Sequence, residues 1–278
     1  MSLTMGIFLL IGTWLMVSGE KNELYQVTQS REALQWLELS NPLRYGLAML
    51  NAEGDDRRAD AHLRMKAAQM AADYQQLFGG LAKEFGVTLV AGSIVLPEPY
   101  VEQGVLHSGH GALYNNSVVF AANGKVLGQP QRQQYPDSEV RRFIRGGDAY
   151  PLQVLETPAG RLGVLVGSDS WYPANYQRLA AQAVQVIAVP AFISGKGSWA
   201  APWRGNRHQP MAVSLPLKAG EVDEGQAWQQ LVRHGQTTDT TLLSVFLRGQ
   251  FWEVAGDGLG FVSRDGQALS ASAHPGAR

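Results

Sequence analysis

The chain has 278 residues, a formal net charge of −1 and a pI near 6.6, with 45% hydrophobic and 17% charged residues. These values exclude a disordered or fibrous chain and give no field that would draw it to nucleic acid or anionic lipid. There is no cysteine, which removes disulfides, thiolate metal ligands and thiol nucleophiles together.

A single domain spanning residues 1–278 is expected, with a small molecule as its partner. The apolar run Met5–Val17 is broken by Gly6, Gly12 and Thr13 and falls short of the ~20 residues that span a bilayer. No Lys or Arg precedes Lys21, so the basic flank of a secretory leader is missing. The run reads as a buried strand entering a loop, in a cytoplasmic protein that does not engage a membrane.

Over residues 59–85, Leu63, Ala67, Met70, Tyr74, Leu77 and Leu81 recur at steps of three and four, which predicts a helix with one apolar face. Asp60 is the expected cap, and Gly86 stops the helix before "VTLVAGSIVL", read as one buried strand. "LPEP" at 96–99 is expected to be a loop. His107 and His110 in "HSGH" have a spacing that suits a metal, but no carboxylate or third His stands nearby, so an exposed polar loop is expected and no metal or cofactor. "LYNNSVVFAA" and "KVLGQ" flank Asn123-Gly124, a pair favoured in two-residue turns, and "LQVLE" and "RLGVLV" flank "TPAG"; both are expected hairpins.

"VLVGSDSWYPANYQRLAAQAVQVIAVPAF" at 164–192 reads as strand, tight turn, helix and strand, with Pro173 opening the helix and Tyr176, Leu179, Ala180 and Val184 facing inward. Gly167 sits at the bend. Residues 193–225 read as a long loop of the kind that covers a site. Strands with an Asp265-Gly266 turn follow, and residues 270–278 are expected to fray. Helices alternating with strands and interrupted by hairpins predict an α/β chain with a mixed sheet.

Four strings in this order, "FGVTLVAGS", "LYNNSVVFAANGKVLG", "LETPAGRLGVLVGSDSWYP" and "VQVIAVPAF", resemble the nitrilase superfamily of carbon-nitrogen hydrolases over roughly residues 60–270. The resemblance implies a four-layer αββα sandwich, here lacking its first βα unit, and homo-oligomers assembled through outer helices. It also implies a glutamate base, an oxyanion-binding lysine and a cysteine nucleophile acting on amides or nitriles. With Asp169 and Pro173 fixing the register, the cysteine's place is held by Gly167. The lysine's place falls on Gln133 or, one residue earlier, Arg132. The glutamate's place, counted back from Gly12, falls on Leu9.

Those residues imply a relative that does not perform thiol-based C–N hydrolysis but binds a small amide, nitrile or carboxylate. The alternatives are an active hydrolase working by a non-cysteine route and a dimer-forming structural protein. For the non-cysteine route Ser168 is the candidate, although no Gly-x-Ser-x-Gly pattern surrounds it. Glu139 reads equally as a retained site carboxylate or a surface group in "DSEVRR". Trp171, Tyr172 and Trp199 read as walls of a substrate pocket or as core.

Overall fold

A computed structural model describes residues 30–136, 140–205, 217–251, 254–264 and 267–270. Leu9, Glu139, Asp265-Gly266 and residues 271–278 of the expected tail lie outside them. The described residues form two compact units, one comprising those up to Arg132 with Pro136–Gly147 and Gln250–Val254, the other Gln133–Tyr135, Asp148–Gly249 and the described residues from Ala255 on.

The first unit opens with helices α1 (Ser30–Ser40), α2 (Pro42–Asn51) and α3 (Arg57–Phe85). The cap of α3 is Asp56, whose side chain accepts from the Ala59 N–H at 3.0 Å. Asp60, the residue expected there, lies one turn inside, where its carboxylate pairs with Arg64 and accepts from the Glu53 N–H. Gly86 ends the helix with φ +62°, and Val87 N–H reaches back to Ala82 O, the left-handed stop that glycine adopts without a Cβ penalty.

The expected single strand after α3 is two, β1 (Leu89–Val90) and β2 (Ile94–Pro97). Both pair antiparallel with the same edge of β5 (Leu113–Phe120), and the small residues Ala91-Gly92-Ser93 carry the chain from one to the other. "LPEP" is part strand, because Pro97 closes β2 and Glu98 turns at φ +35°. Strands β3 (Tyr100–Glu102) and β4 (Val105–His107) follow as a separate hairpin, in which His107 stacks on Tyr100 at 5.2 Å. Strand β6 (Val126–Arg132) pairs with β5 as expected, but the loop between them is longer than two residues. Ala121 N–H bonds Lys125 O, and Gly124, at φ +82°, closes a turn onto Ala121 O.

The side chains of Leu63, Met70 and Tyr74 on one face of α3 meet Val95, Leu96, Val118 and Phe120 in this unit's core. Helix and hairpin come close at two glycines. A Cβ on Gly79 would lie 2.6 Å from Gly124 O, and one on Gly124 would lie 2.8 Å from Gly79 O.

The second unit is a mixed six-stranded sheet, as the alternation of elements predicts. Its strands are β7 (Val154–Thr157), β8 (Gly160–Val164), β9 (Val186–Ala191), β10 (Thr241–Phe246), β13 (Phe261–Arg264) and β14 (Gln267–Ser270). Strands β8, β9 and β10 run parallel and the others pair antiparallel. Strands β11 (Gly249–Phe251) and β12 (Val254–Gly256) interrupt the run after β10.

Helix α4 (Pro173–Ala180) joins β8 to β9, the connection that parallel neighbours require. Tyr176 and Leu179 are buried, but Ala180 is exposed, and Val184 is buried beyond the helix rather than on it. Helix α5 (Glu224–Gly235) begins inside the expected long loop, at a capping box made by Asp223 and Gln226. Its Trp228, Leu231 and Val232 join Tyr176, Leu179, Ile187 and Leu242 in the core.

Candidate functional site

Strand β8 ends at Val164, Leu165 and Val166 follow it, and Gly167 then turns the chain at φ +56° into a single 3-10 turn, Gly167–Trp171. The bend therefore lies beyond the C-terminal end of a parallel strand, where α/β sheets present functional groups. A Cβ at Gly167 has ordinary space, its nearest neighbour being Gln133 Nε2 at 3.8 Å. Glycine is not required there for room. The positive φ is what favours it.

The bend is fixed by Asp169, which is wholly buried. One carboxylate oxygen accepts from Gln134 N–H at 2.7 Å and the other from Tyr135 N–H at 2.8 Å. The backbone carbonyl of Asp169 accepts from Asn175 Nδ2 at 2.9 Å. Ser170 Oγ donates to Gly167 O at 2.8 Å, and Tyr176 OH donates to Ser170 O at 2.7 Å. The Ser170 bond closes the turn on itself, and the others tie it to residues 134 and 135 or to the first half of α4. Burial pushes the Asp169 carboxyl up to about 7, opposed by the two N–H donors and by the charge of Arg178. Arg178 also holds the adjoining segment, donating to Gln134 Oε1 at 2.9 Å and to Tyr150 O at 3.0 Å.

Of the two residues proposed for the cation's place, Gln133 is the one whose side chain approaches the Gly167 bend. Arg132 ends β6 with its guanidinium 4.1 Å from the centre of the Tyr114 ring. Ser168 is 8% exposed within the 3-10 turn. Trp171 and Tyr172 are buried, Trp171 edge-on to Trp228 at 4.9 Å and Tyr172 against Tyr135 at 4.4 Å. Trp199 is half-buried, packed on Phe246 and close against Gly225. Among the described residues, no group of three or more His, Asp or Glu side chains is placed to hold a metal.

Sequence reasoning missed Gln134, Tyr135, Asn175 and Arg178 as the groups that anchor the bend. Two of them act through backbone N–H groups, which carry no residue signature. Arg178, one turn into a helix that opens at Pro173, left a legible position but no indication of its partner.

A family model described as carbon-nitrogen hydrolase matches residues 39–213. Over 176 residues the chain is 26% identical to the deaminated glutathione amidase of Yersinia enterocolitica, covering 60% of this chain and 55% of that protein. It is 27% identical over 119 residues to the N-carbamoylputrescine amidase of Solanum lycopersicum, covering 42% and 35%. The chain thus spans about half, or less, of the length of these curated relatives.

Among solved structures, a carbon-nitrogen hydrolase from Helicobacter pylori G27 superposes with a TM-score of 0.54 at 20% identity, covering 74% of this chain and 66% of that one. A cysteine-to-alanine variant of an amidase from Nesterenkonia sp. AN1, in complex with butyramide, superposes with a TM-score of 0.51 at 22% identity, covering 76% and 67%. The expected α/β fold of the nitrilase type is the one this chain shares with these structures. No helix among the described residues is long and apolar enough to cross a membrane.

Proposed function

The chain belongs to the carbon-nitrogen hydrolase family, and on that premise we propose that it binds a small amide, nitrile or carboxylate without hydrolysing it. The observation that carries this reading is Gly167, a residue with no side chain at the strand-end bend, in a chain that contains no cysteine. Thiol-based acyl transfer needs a thiolate, a base within hydrogen-bond reach and a cation or N–H donors at the developing oxyanion. The place expected for the base falls on Leu9, which has no ionisable group. Where Gln133 holds the cation's place, a neutral amide replaces it; where Arg132 does, a planar guanidinium does, which is no equivalent of a lysine ammonium.

Binding without chemistry is supported by two facts. The bend is held by a hydrogen-bond network, in which the buried Asp169 carboxyl accepts from two backbone N–H groups and Arg178 donates to Gln134 beside it. In addition, the Nesterenkonia amidase variant with alanine in place of a cysteine is found with butyramide bound. The non-cysteine route has weaker support, since Ser168 makes no hydrogen bond to a histidine among the described residues.

A thermal-shift series with butyramide, butyronitrile and butyrate tests the reading, because a ligand that binds only the folded state raises the melting temperature. A concentration-dependent rise with at least one of them is expected. A flat response to all three, at concentrations far above those of ordinary metabolites, overturns it.

A further inference from the structure

Asn123 and Gly124 form the end of the β5–β6 hairpin, in the first unit and apart from the Gly167 bend. Asn123 is exposed and Gly124 half-buried. The Asn123 Oδ1 accepts from the Lys125 N–H at 3.0 Å, which folds the side-chain amide back along the main chain that follows it. The nitrogen next in the chain belongs to Gly124, which carries no Cβ to hinder a ring closing on it.

We propose that Asn123 is a self-modification site, at which the Gly124 nitrogen attacks Asn123 Cγ. The nitrogen gives up its proton to hydroxide and bonds to Cγ. The Cγ–Nδ2 bond breaks, Nδ2 takes a proton from water and leaves as ammonia, and a cyclic imide remains. Water then opens the imide at either carbonyl, giving aspartate or isoaspartate without an oxidant, a cofactor or a second protein. The negative charge that develops on Asn123 Oδ1 meets the Lys125 N–H already in place, a donor set where charge builds up. One bond opposes the step, since the Gly124 N–H donates to Ala121 O at 2.8 Å. It lies at a hairpin end, where local opening costs little, and the Ala121 N–H bond to Lys125 O holds the flanks meanwhile.

Other described asparagines lack this combination. Asn51 is exposed, but Ala52 follows it and its Nδ2 donates to Leu47 O at 3.0 Å. Asn115 and Asn116 lie within β5, and Asn175 is wholly buried. Asn41 precedes Pro42, whose nitrogen has no proton to lose.

Isoaspartate carries the main chain through Cγ and so adds a carbon between residue 123 and Gly124. Gly124 has no slack to absorb it, because its carbonyl oxygen lies 2.6 Å from where a Cβ on Gly79 would stand. Isoaspartate therefore unseats the hairpin from α3, whereas aspartate keeps the acceptor for the Lys125 N–H and leaves the packing intact. The ammonia is limited to a single equivalent per chain and comes from Asn123, so it is distinct from turnover of any added amide.

The full chain aged at mildly alkaline pH, mapped by peptide mass spectrometry and an isoaspartyl methyltransferase assay, tests this. Aspartate and isoaspartate are both expected at position 123, forming about tenfold or more faster than any change at Asn51, since a Cβ on the next residue hinders closure there. The rate should rise with pH, and Asn123→Gln, which would have to close a larger ring, should accumulate neither product. The isoaspartate form, separated chromatographically, should unfold at lower urea than Asn123→Asp. An Asn123 that changes no faster than Asn51, or aspartate formed without isoaspartate, overturns the proposal. An isoaspartate form as stable as Asn123→Asp overturns its link to α3.

Discussion

The Nε2 of Gln133 lies 3.8 Å from where a Cβ on Gly167 would stand, so the group facing that position is a neutral amide. A cysteine fits this space, and only the positive φ opposes it. Gly167→Cys is therefore expected to fold with a loss of about 1–2 kcal/mol. Its thiol should be titratable by a disulfide reagent, and its amidase activity should stay at background, because the base is still lacking. The same is expected when Gln133→Lys or Arg132→Lys is added. Chemical denaturation and an ammonia assay check the two halves separately.

Asp169 ties residues 134 and 135 to the bend, so Asp169→Ala leaves one buried and one part-buried N–H group without acceptors. A loss of about 2–5 kcal/mol is expected, read as a fall in the denaturation midpoint.

The ionisation of Asp169 gives a signed pH dependence. Its folded pKa, raised to about 7, exceeds the ordinary aspartate value of about 3.9. The folded state therefore holds a proton that the unfolded state releases between these values. The stabilisation is complete below about pH 4 and is lost as pH rises through about 7. Melting temperature should fall across that window, and Asp169→Asn should flatten the fall.

Gly79 and Gly80 are adjacent in α3 yet are expected to respond oppositely. Alanine at Gly79 meets the backbone oxygen of Gly124 at 2.6 Å, so a loss of about 1–3 kcal/mol is expected. Gly80 is exposed with nothing within 4 Å, so Gly80→Ala should gain about 0.5–1 kcal/mol from helix propensity. Urea midpoints of the two variants decide it.

Trp228 packs edge-on to both Trp171 and Phe246, while its indole N–H is buried without a partner. Trp228→Ala should cost about 3–5 kcal/mol. Trp228→Phe should cost far less, because removing the unsatisfied donor offsets part of the lost volume. Near-UV circular dichroism and denaturation together report the difference.

Much of this architecture was legible where one residue type enforces one conformation. Gly86 ends α3, Pro173 opens α4, and the hairpins follow their turn residues. The misread places are those where a local signal has two solutions. Asp56 and Asp60 both precede good helix formers, and the cap went to Asp56 because Asp60 is held by Arg64 a turn later. The segment "VTLVAGSIVL" is rich in β-branched residues at both ends, but its three small central residues let it pair with β5 in two pieces.

The capping box at Asp223 and Gln226 was visible in the residues but lay within a Gly- and Pro-rich stretch that read as loop. Trp171 and Tyr172 could have lined a pocket or filled a core, since both uses demand large aromatic rings; their burial places them in the core. The anchors of the bend were hidden for a different reason. Asp169 is held by the backbone of residues 35 and 34 positions earlier, a contact that only the fold brings together.

The central claim, binding without turnover at Gly167, is met most directly by one measurement: ammonia released from butyramide by the purified chain under conditions where thermal shift shows the amide bound. The account predicts release equal to that of buffer alone over many hours. Release that scales with protein concentration, and persists in a preparation freed of contaminating amidases, would contradict it.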